Sequence, residues 1–441
     1  MPPDTGAAAW NSILPVRASN PSLNESLDAD YLIIGAGFAG LSAARRLTQL
    51  QPNARIVVLE GREVATGPAG RNSGFMIDLP HELTSDDYAG DSADNDRRQT
   101  AMNRAAIAFA QGIAKDFDMS EEAITLSGKI NAAATDKGMR HNFNYANHLT
   151  RLGEAFKLLD STEMQTLSGT DYYQGGLWTP GTAMLQPALY IRELAQGLQC
   201  IGAVKLFEQS PVCSLSKNAA GWSVLTAKGS VQSSKVIIAV NGLVEHFGFY
   251  TGRLMHLMLY GSMTRALTPA EISTLGGESR WGFTPADPLG TTVRRISGVG
   301  GDRIIVRNGA TYDAKMHSSS SKMDAVAKAH KDSFNARFPM LNKVEMEYCW
   351  DGRLCLSLNN VFALGELEDG LYSACCQNGL GTAKGTVAGI IAAEAAVGSA
   401  ETLLPDYKKE AEPKKLPPAP LMWLGANSVM KWKAFRAGKE L

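Results

Sequence analysis

The pattern of apolar and polar positions changes period most sharply near the start of the chain. An apolar run, Tyr31, Leu32, Ile33 and Ile34, leads directly into Gly35-x-Gly37-x-x-Gly40, and apolar positions at helical spacing follow through Leu41, Ala44 and Leu47. A second apolar run at 56–59 then closes on Glu60. The pattern predicts strand, tight turn, helix and strand, one βαβ unit. Farther along, a helical pattern is expected over 94–117, short strands near 124 and 130, and a mostly helical stretch over 138–168. Within that stretch, Asp160-x-x-Glu163 has the form of a capping box. Gln186-Pro187 opens a helix running to 198, and strands are expected at 204–207 and 222–225. The run 235–240 reads as a buried strand ending at Asn241-Gly242. Strand-like runs at 257–260, 290–296 and 303–306 precede a helix near 320–337. A strand at 371–374 ends in the glycine turn Gly379-Leu380-Gly381-Thr382 at the head of a helix over 383–396.

The first unit has a chemistry. Gly35 permits the turn out of the strand, Gly37 lets backbone approach a pyrophosphate, and Gly40 lets the helix pack closely on the sheet. Phosphates then lie over the helix N-terminus at Phe38 and Ala39, where unpaired N–H groups and the helix dipole favour negative charge. Glu60, at the end of the second strand, is placed to accept hydrogen bonds from ribose hydroxyls, which suits FAD or NAD and argues against a 2′-phosphate.

Composition narrows the partners. The 441 residues are enough for two domains, and the formal net charge of −1, from 43 Lys+Arg against 44 Asp+Glu, carries no footprint for nucleic acid. Small molecules are the expected partners. The six cysteines show neither metal-ligand spacing nor a disulfide framework, which fits a reducing compartment and a cytoplasmic location. No apolar run is long enough for a membrane span. Residues 1–28 are expected to form an arm over the fold. His141 and His148, two helical turns apart, are expected on a solvated face rather than at a metal.

The glycine-rich loop that follows Glu60, and above all GPAGRNSGF within it, resembles the AGxSGRNGG-type loop of the D-amino-acid oxidase superfamily of FAD enzymes, which includes glycine oxidase and sarcosine oxidase. The resemblance implies that Gly61, Arg62, Gly70, Arg71, Asn72, Ser73 and Gly74 line FAD, with Phe75 and Met76 close to the isoalloxazine. Ala69 replaces a frequent serine, so backbone groups must do that serine's work. The strand ending at Asn241-Gly242 is similar to the family's ViiAxNa strand, with Val212 beside the adenine. Trp350-x-Gly352, Ser357-x-Asn359 and Gly365 fit the family's W-x-G-x-x-x-x-T-x-[DN] spacing in the Asn variant of the gamma-glutamylputrescine oxidase branch. Asn378, Gly379, Leu380, Gly381 and Thr382 would then lie at the flavin's pyrimidine edge. Some sarcosine oxidases link FAD through a cysteine in this region, but that position falls nearer Gly352 than Cys355, which argues against covalent attachment here.

The implied fold is α/β: a Rossmann-like FAD-binding domain of the GR2 flavoprotein type, interleaved with an α+β substrate domain built on an antiparallel sheet. The FAD-binding parts are expected at 29–120, 186–245 and 349–400, the substrate parts at 121–185 and 246–348, and a tail at 401–441. The implied activity is oxidation of a C–N bond in an amine or amino acid by FAD, with O2 or another acceptor reoxidising the flavin. Candidate catalytic residues are His81, Tyr260 and Trp350, with Cys376 and Gln377 also expected to face the flavin. Cys375 and Cys376 are expected mainly as core packing. Arg265 or Arg294 could clamp a substrate carboxylate, an ordinary surface arginine being the competing reading. Two alternatives stand beside this one: a flavin monooxygenase, disfavoured because Leu364-Gly365-Glu366 lacks the later Gly-Asp motif, and a non-catalytic flavin-binding or assembly protein.

Overall fold

Why the βαβ unit sits at the centre follows from its composition: Leu32, Ile33, Val58 and Leu59 are buried, so their strands need cover on both faces. The computed structural model describes residues 2–80, 92–399 and 411–441. In it Ser26–Ile34 runs parallel to Ile56–Leu59 on one side and to Ser230–Ile238 on the other. Val204–Phe207 extends the sheet beyond Ile56–Leu59, and Leu371–Cys375 joins in parallel beside Ser230–Ile238. Ala363–Glu368 and the hairpin of Ser214–Asn218 with Gly221–Leu225 complete eight strands.

Two helices cover one face by unusually close approach. A Cβ on Gly40 would come within 1.8 Å of the Gly35 carbonyl oxygen, and one on Gly389 within 2.1 Å of the Ala39 carbonyl oxygen. Phe38–Leu50 therefore seats on its own strand and against Ala383–Val397 only because these positions lack side chains. Ala93–Asp116 packs outside Ala383–Val397.

The second eight-stranded sheet runs in the order Met346–Ser357, Leu254–Thr264, Arg303–Tyr312, Thr292–Ile296, Trp281–Pro285, Lys129–Ala133, Gly175–Thr179, Lys157–Leu159. It is antiparallel except where Trp281–Pro285 meets Lys129–Ala133. Residues 349–357, expected in the FAD-binding part, instead pair along Leu254–Thr264 in this sheet. The long strand pairs along its whole length, and its Gly352 lies against the glycine-rich loop, where a Cβ would stand 3.5 Å from the Arg71 carbonyl oxygen. A small sheet of Phe75–Met76, Ala183–Leu185 and Ile124–Leu126 lies between the two large ones.

Several local expectations are corrected. The helical stretch expected over 138–168 is two helices, Asp136–Leu152 and Ser161–Ser168, separated by the strand Lys157–Leu159; the second begins with the Asp160/Glu163 capping box. His148 is buried rather than solvated, and its Nε2 lies 2.8 Å from Asp96 Oδ2. The arm is shorter and more deeply set than expected: the first strand begins at Ser26, and Trp10 is wholly buried, donating from Nε1 to the Asn72 carbonyl at 2.8 Å. Asp4 pairs with Arg62 and Arg353.

Candidate functional site

A cavity of about 680 Å³ opens between the two large sheets. Its cofactor end is made of backbone. Gly35 takes φ +106°, a conformation open to glycine, and turns the chain out of Ser26–Ile34. Gly37 is the N-cap of Phe38–Leu50 with no side chain bonding the first-turn N–H groups, and a Cβ there would meet only the Ala69 Cβ at 3.7 Å. The turn therefore presents unpaired N–H groups to open space, the arrangement that receives a diphosphate. Glu60 Oε2 accepts from the Ala36 N–H and Oε1 from the Arg62 N–H, which fixes the carboxylate at the strand end and leaves further lone pairs. Burial pushes its carboxyl up, against these backbone bonds that hold it down. A dinucleotide fits these residues: a glycine cradle that a side chain would fill, a helix terminus and an acidic strand end.

A second helix terminus faces the same cavity. Ala383–Val397 starts after Thr382, whose hydroxyl donates to the Phe75 carbonyl rather than capping the helix. Ahead of it Cys376 and Asn378 hold φ values of +55° and +49°, and Asn241 across the cavity holds +51°. Non-glycine residues in this region are strained and need outside support. The Asn side chains supply it: Asn378 Oδ1 accepts from the Ser357 N–H, its Nδ2 donates to the Val361 carbonyl, and Asn241 Oδ1 accepts from the Cys376 N–H.

The cavity brings together Gly35, Gly37, Phe38, Ala39, Glu60, Gly61, Arg71, Asn72, Ser73, Val212, Asn241, Gly242, Tyr260, Trp350, Gly352, Gln377, Asn378, Gly379 and Gly381. Other expected residues stand behind the lining. Gly40 carries the helix contact, and Gly70 is closed by the Ala65 carbonyl, 1.9 Å from where a Cβ would stand. Arg62 is tied to Asp4. Gly74 lies against Arg294, while Phe75 and Leu380 pack with Ile77, and Met76 is fully buried. Thr382 is buried on Phe75, and Cys376 packs with Cys375 and Cys355 in the core. His81 lies outside the described residues.

Side chains within the lining have firm duties. Arg71 is buried, and its guanidinium donates to the carbonyls of Asp351, Thr5 and Gly6; burial brings it down to about 10. It ties the flavin loop to the long strand and the arm. Trp350 Nε1 donates to the Arg71 carbonyl at 3.0 Å, so its polar atom holds the loop too. The Tyr260 phenol meets the Thr311 hydroxyl, and burial raises it. The two arginines considered as clamps are not on the cavity. Arg265 pairs with Glu271, while Arg294 is buried, donates to the Ser73 and Leu185 carbonyls, and is lowered by burial to about 9. Arg294 is thus not a surface residue; it props the loop from behind and lines a separate, smaller cavity.

Sequence reasoning missed much of the opposite wall, including His256, Leu259, Ile305, Arg307, Met316, Arg353 and Leu354. His256 Nε2 lies 2.6 Å from Glu245 Oε2. The only signal in the sequence was strand alternation, which places Leu259 and Gly261 on one face of Leu254–Thr264 but does not say what that face meets.

The family model described as FAD dependent oxidoreductase (DAO) matches residues 30–395. The chain belongs to this family. Its cofactor is therefore FAD, and it is an FAD-dependent enzyme. Probable oxidoreductase OrdL of Haemophilus influenzae is 28% identical over 401 residues, covering 87% of this chain and 86% of that protein. Gamma-glutamylputrescine oxidoreductase of Escherichia coli is 23% identical over 389 residues, 86% of each chain. Among solved structures, glycine oxidase from Geobacillus kaustophilus superposes with a TM-score of 0.69 at 17% identity, covering 89% of this chain and 100% of that one. That likeness shows the shared fold of a Rossmann-like region joined to a sheet-built one.

Proposed function

We propose that this member of the family oxidises the C–N bond of an amine or amino acid, that the imine is hydrolysed by water, and that O2 reoxidises the flavin. The reading rests on one observation: a single cavity joins a dinucleotide cradle at Gly35, Gly37 and Glu60 to a wall where Leu259, Ile305 and Met316 stand among His256, Arg307 and Arg353. The names of the relatives, an oxidoreductase of a glutamylated polyamine and an oxidase of glycine, support the substrate class.

Bound FAD supplies the two-electron acceptor. The chain supplies the rest. The N–H groups at the head of Phe38–Leu50 hold the diphosphate, and Glu60 orients the ribose. The head of Ala383–Val397, reached through Gly379 and Gly381, would turn positive potential toward the bound cofactor and so favour its uptake of electrons. Tyr260, Leu259, Ile305 and Met316 exclude water and orient the carbon that gives up hydride. An amine that enters neutral needs no side-chain base, so the absence of a triad or paired carboxylates from the sequence is consistent with this chemistry.

The test is the visible spectrum of the anaerobic protein before and after addition of polyamines, gamma-glutamylated amines, N-methyl amines and amino acids. Bleaching by one class is expected, with colour restored by air. A flavin that no amine bleaches, together with NADPH consumption coupled to hydroxylation, overturns the proposal in favour of a monooxygenase.

A further inference from the structure

The C-terminal helix Ala419–Ala437 carries an apolar face that nothing in the described chain covers. Leu421, Leu424, Trp432 and Phe435 are all exposed, Phe435 to 85%. At 100° per residue these four fall within an arc of about 80°, with Lys431 beside one edge and Arg436 beside the other. The helix seats on the body through Met422, buried among Leu257, Tyr312 and Leu354, and through Asn427, which exchanges hydrogen bonds with the Tyr312 backbone, while Trp423 and Val429 elsewhere on it add further exposed apolar surface. The outward face is held in place, because the chain end is pinned. Glu440 accepts from the N–H groups of Ala134 and Thr135 at 2.9 Å each, and Arg337 donates to the Leu441 carbonyl at 3.2 Å.

Charge selects the occupant. From Lys414 to Lys439 the sequence holds Lys414, Lys415, Lys431, Lys433, Arg436 and Lys439 and no Asp or Glu, in a chain whose overall formal charge is −1. A second copy of the same face would bring like charges together, whereas a surface of anionic headgroups neutralises them. Tryptophan, phenylalanine and leucine flanked by lysine and arginine are the side chains suited to the boundary between headgroups and acyl chains. No helix among the described residues is long and apolar enough to cross a membrane, so the helix would lie on the surface.

We propose that this helix docks the protein on an anionic phospholipid surface, with Leu421, Leu424, Trp432 and Phe435 entering the boundary and Lys431, Arg436 and Lys439 facing lipid phosphates. The test floats holoprotein with phosphatidylcholine vesicles, with and without about one-third phosphatidylglycerol. Binding to the anionic vesicles alone, reversed by raised salt and accompanied by a blue shift of tryptophan emission, is expected. Trp432→Ser with Phe435→Ser, and separately Lys431→Glu with Arg436→Glu, should each weaken partitioning by at least about tenfold while leaving flavin content and melting temperature unchanged. Phe435→Ser alone serves if a double variant folds poorly. Equal binding to neutral and anionic vesicles, or binding that the substitutions leave intact, overturns the proposal. So does a holoprotein that ignores vesicles and sediments as a dimer that these substitutions dissociate.

Discussion

The two ends of the cavity are built by different means. The cofactor end is backbone, drawn from short contiguous motifs whose glycines and helix termini do the binding. The opposite end is side chains, drawn from Leu254–Thr264, Arg303–Tyr312 and the segment at Met316, which meet only because the sheet registers them. The difference teaches where each kind of change should be felt. Substitutions at the first end act on folding or on FAD retention, and those at the second on turnover of a cofactor that stays bound.

Within the cofactor end itself, two glycines three residues apart should part company. Gly40→Ala puts a Cβ 1.8 Å from the Gly35 carbonyl oxygen, and loss of the folded protein is expected, read by solubility and circular dichroism. Gly37→Leu meets no backbone and should fold, yet purify without flavin, read by the ratio of flavin to protein absorbance. A Gly37→Leu protein with stoichiometric FAD would break the assignment of the cradle. At the opposite end, Leu259→Trp should keep its flavin while kcat/KM falls by about 100-fold, through misplacement of the substrate. If flavin is lost instead, the division between the ends does not hold.

Acid should separate the regions as well. His330, on the helix that backs the antiparallel sheet, donates from Nε2 to the Asn308 carbonyl and accepts at Nδ1 from the Ser262 hydroxyl, and burial lowers it from 6.5 to about 4. The folded state therefore resists a proton that the unfolded chain takes up, so stability falls as pH drops from about 6.5 to about 4 and then levels off. By pH 5 the loss from this group is about 2 kcal/mol. Urea denaturation at pH 7 and pH 5 should show His330→Gln losing that much less than the parent. The smallest effect is expected from Glu60→Ala, which should weaken FAD by about tenfold in equilibrium dialysis without unfolding the sheet.

Legibility followed the same division. The βαβ unit was readable because its determinants lie within thirty-one consecutive residues, 30–60, and each glycine has a local reason. Resemblance extended this to Asn72, Trp350 and Asn378, but not to what their side chains do. Trp350 and Arg71 were expected at the flavin; their polar atoms hold the loop. Arg294 read as clamp or surface because arginine in a strand gives no sign of burial, and only the carbonyls of Ser73 and Leu185, far away in the chain, reveal its part. His148 read as solvated because its partner Asp96 sits on another helix.

The sequence by itself determined the strand-turn-helix cradle, the glycines that permit it and the acidic strand end, since these depend on backbone conformation and spacing over a few turns of chain. Tertiary structure alone decided the far wall of the cavity, the supports of the strained Asn241, Cys376 and Asn378, and the face that Ala419–Ala437 leaves uncovered. Those depend on which distant surfaces meet, and a periodic pattern says that a face is apolar without saying what will lie against it.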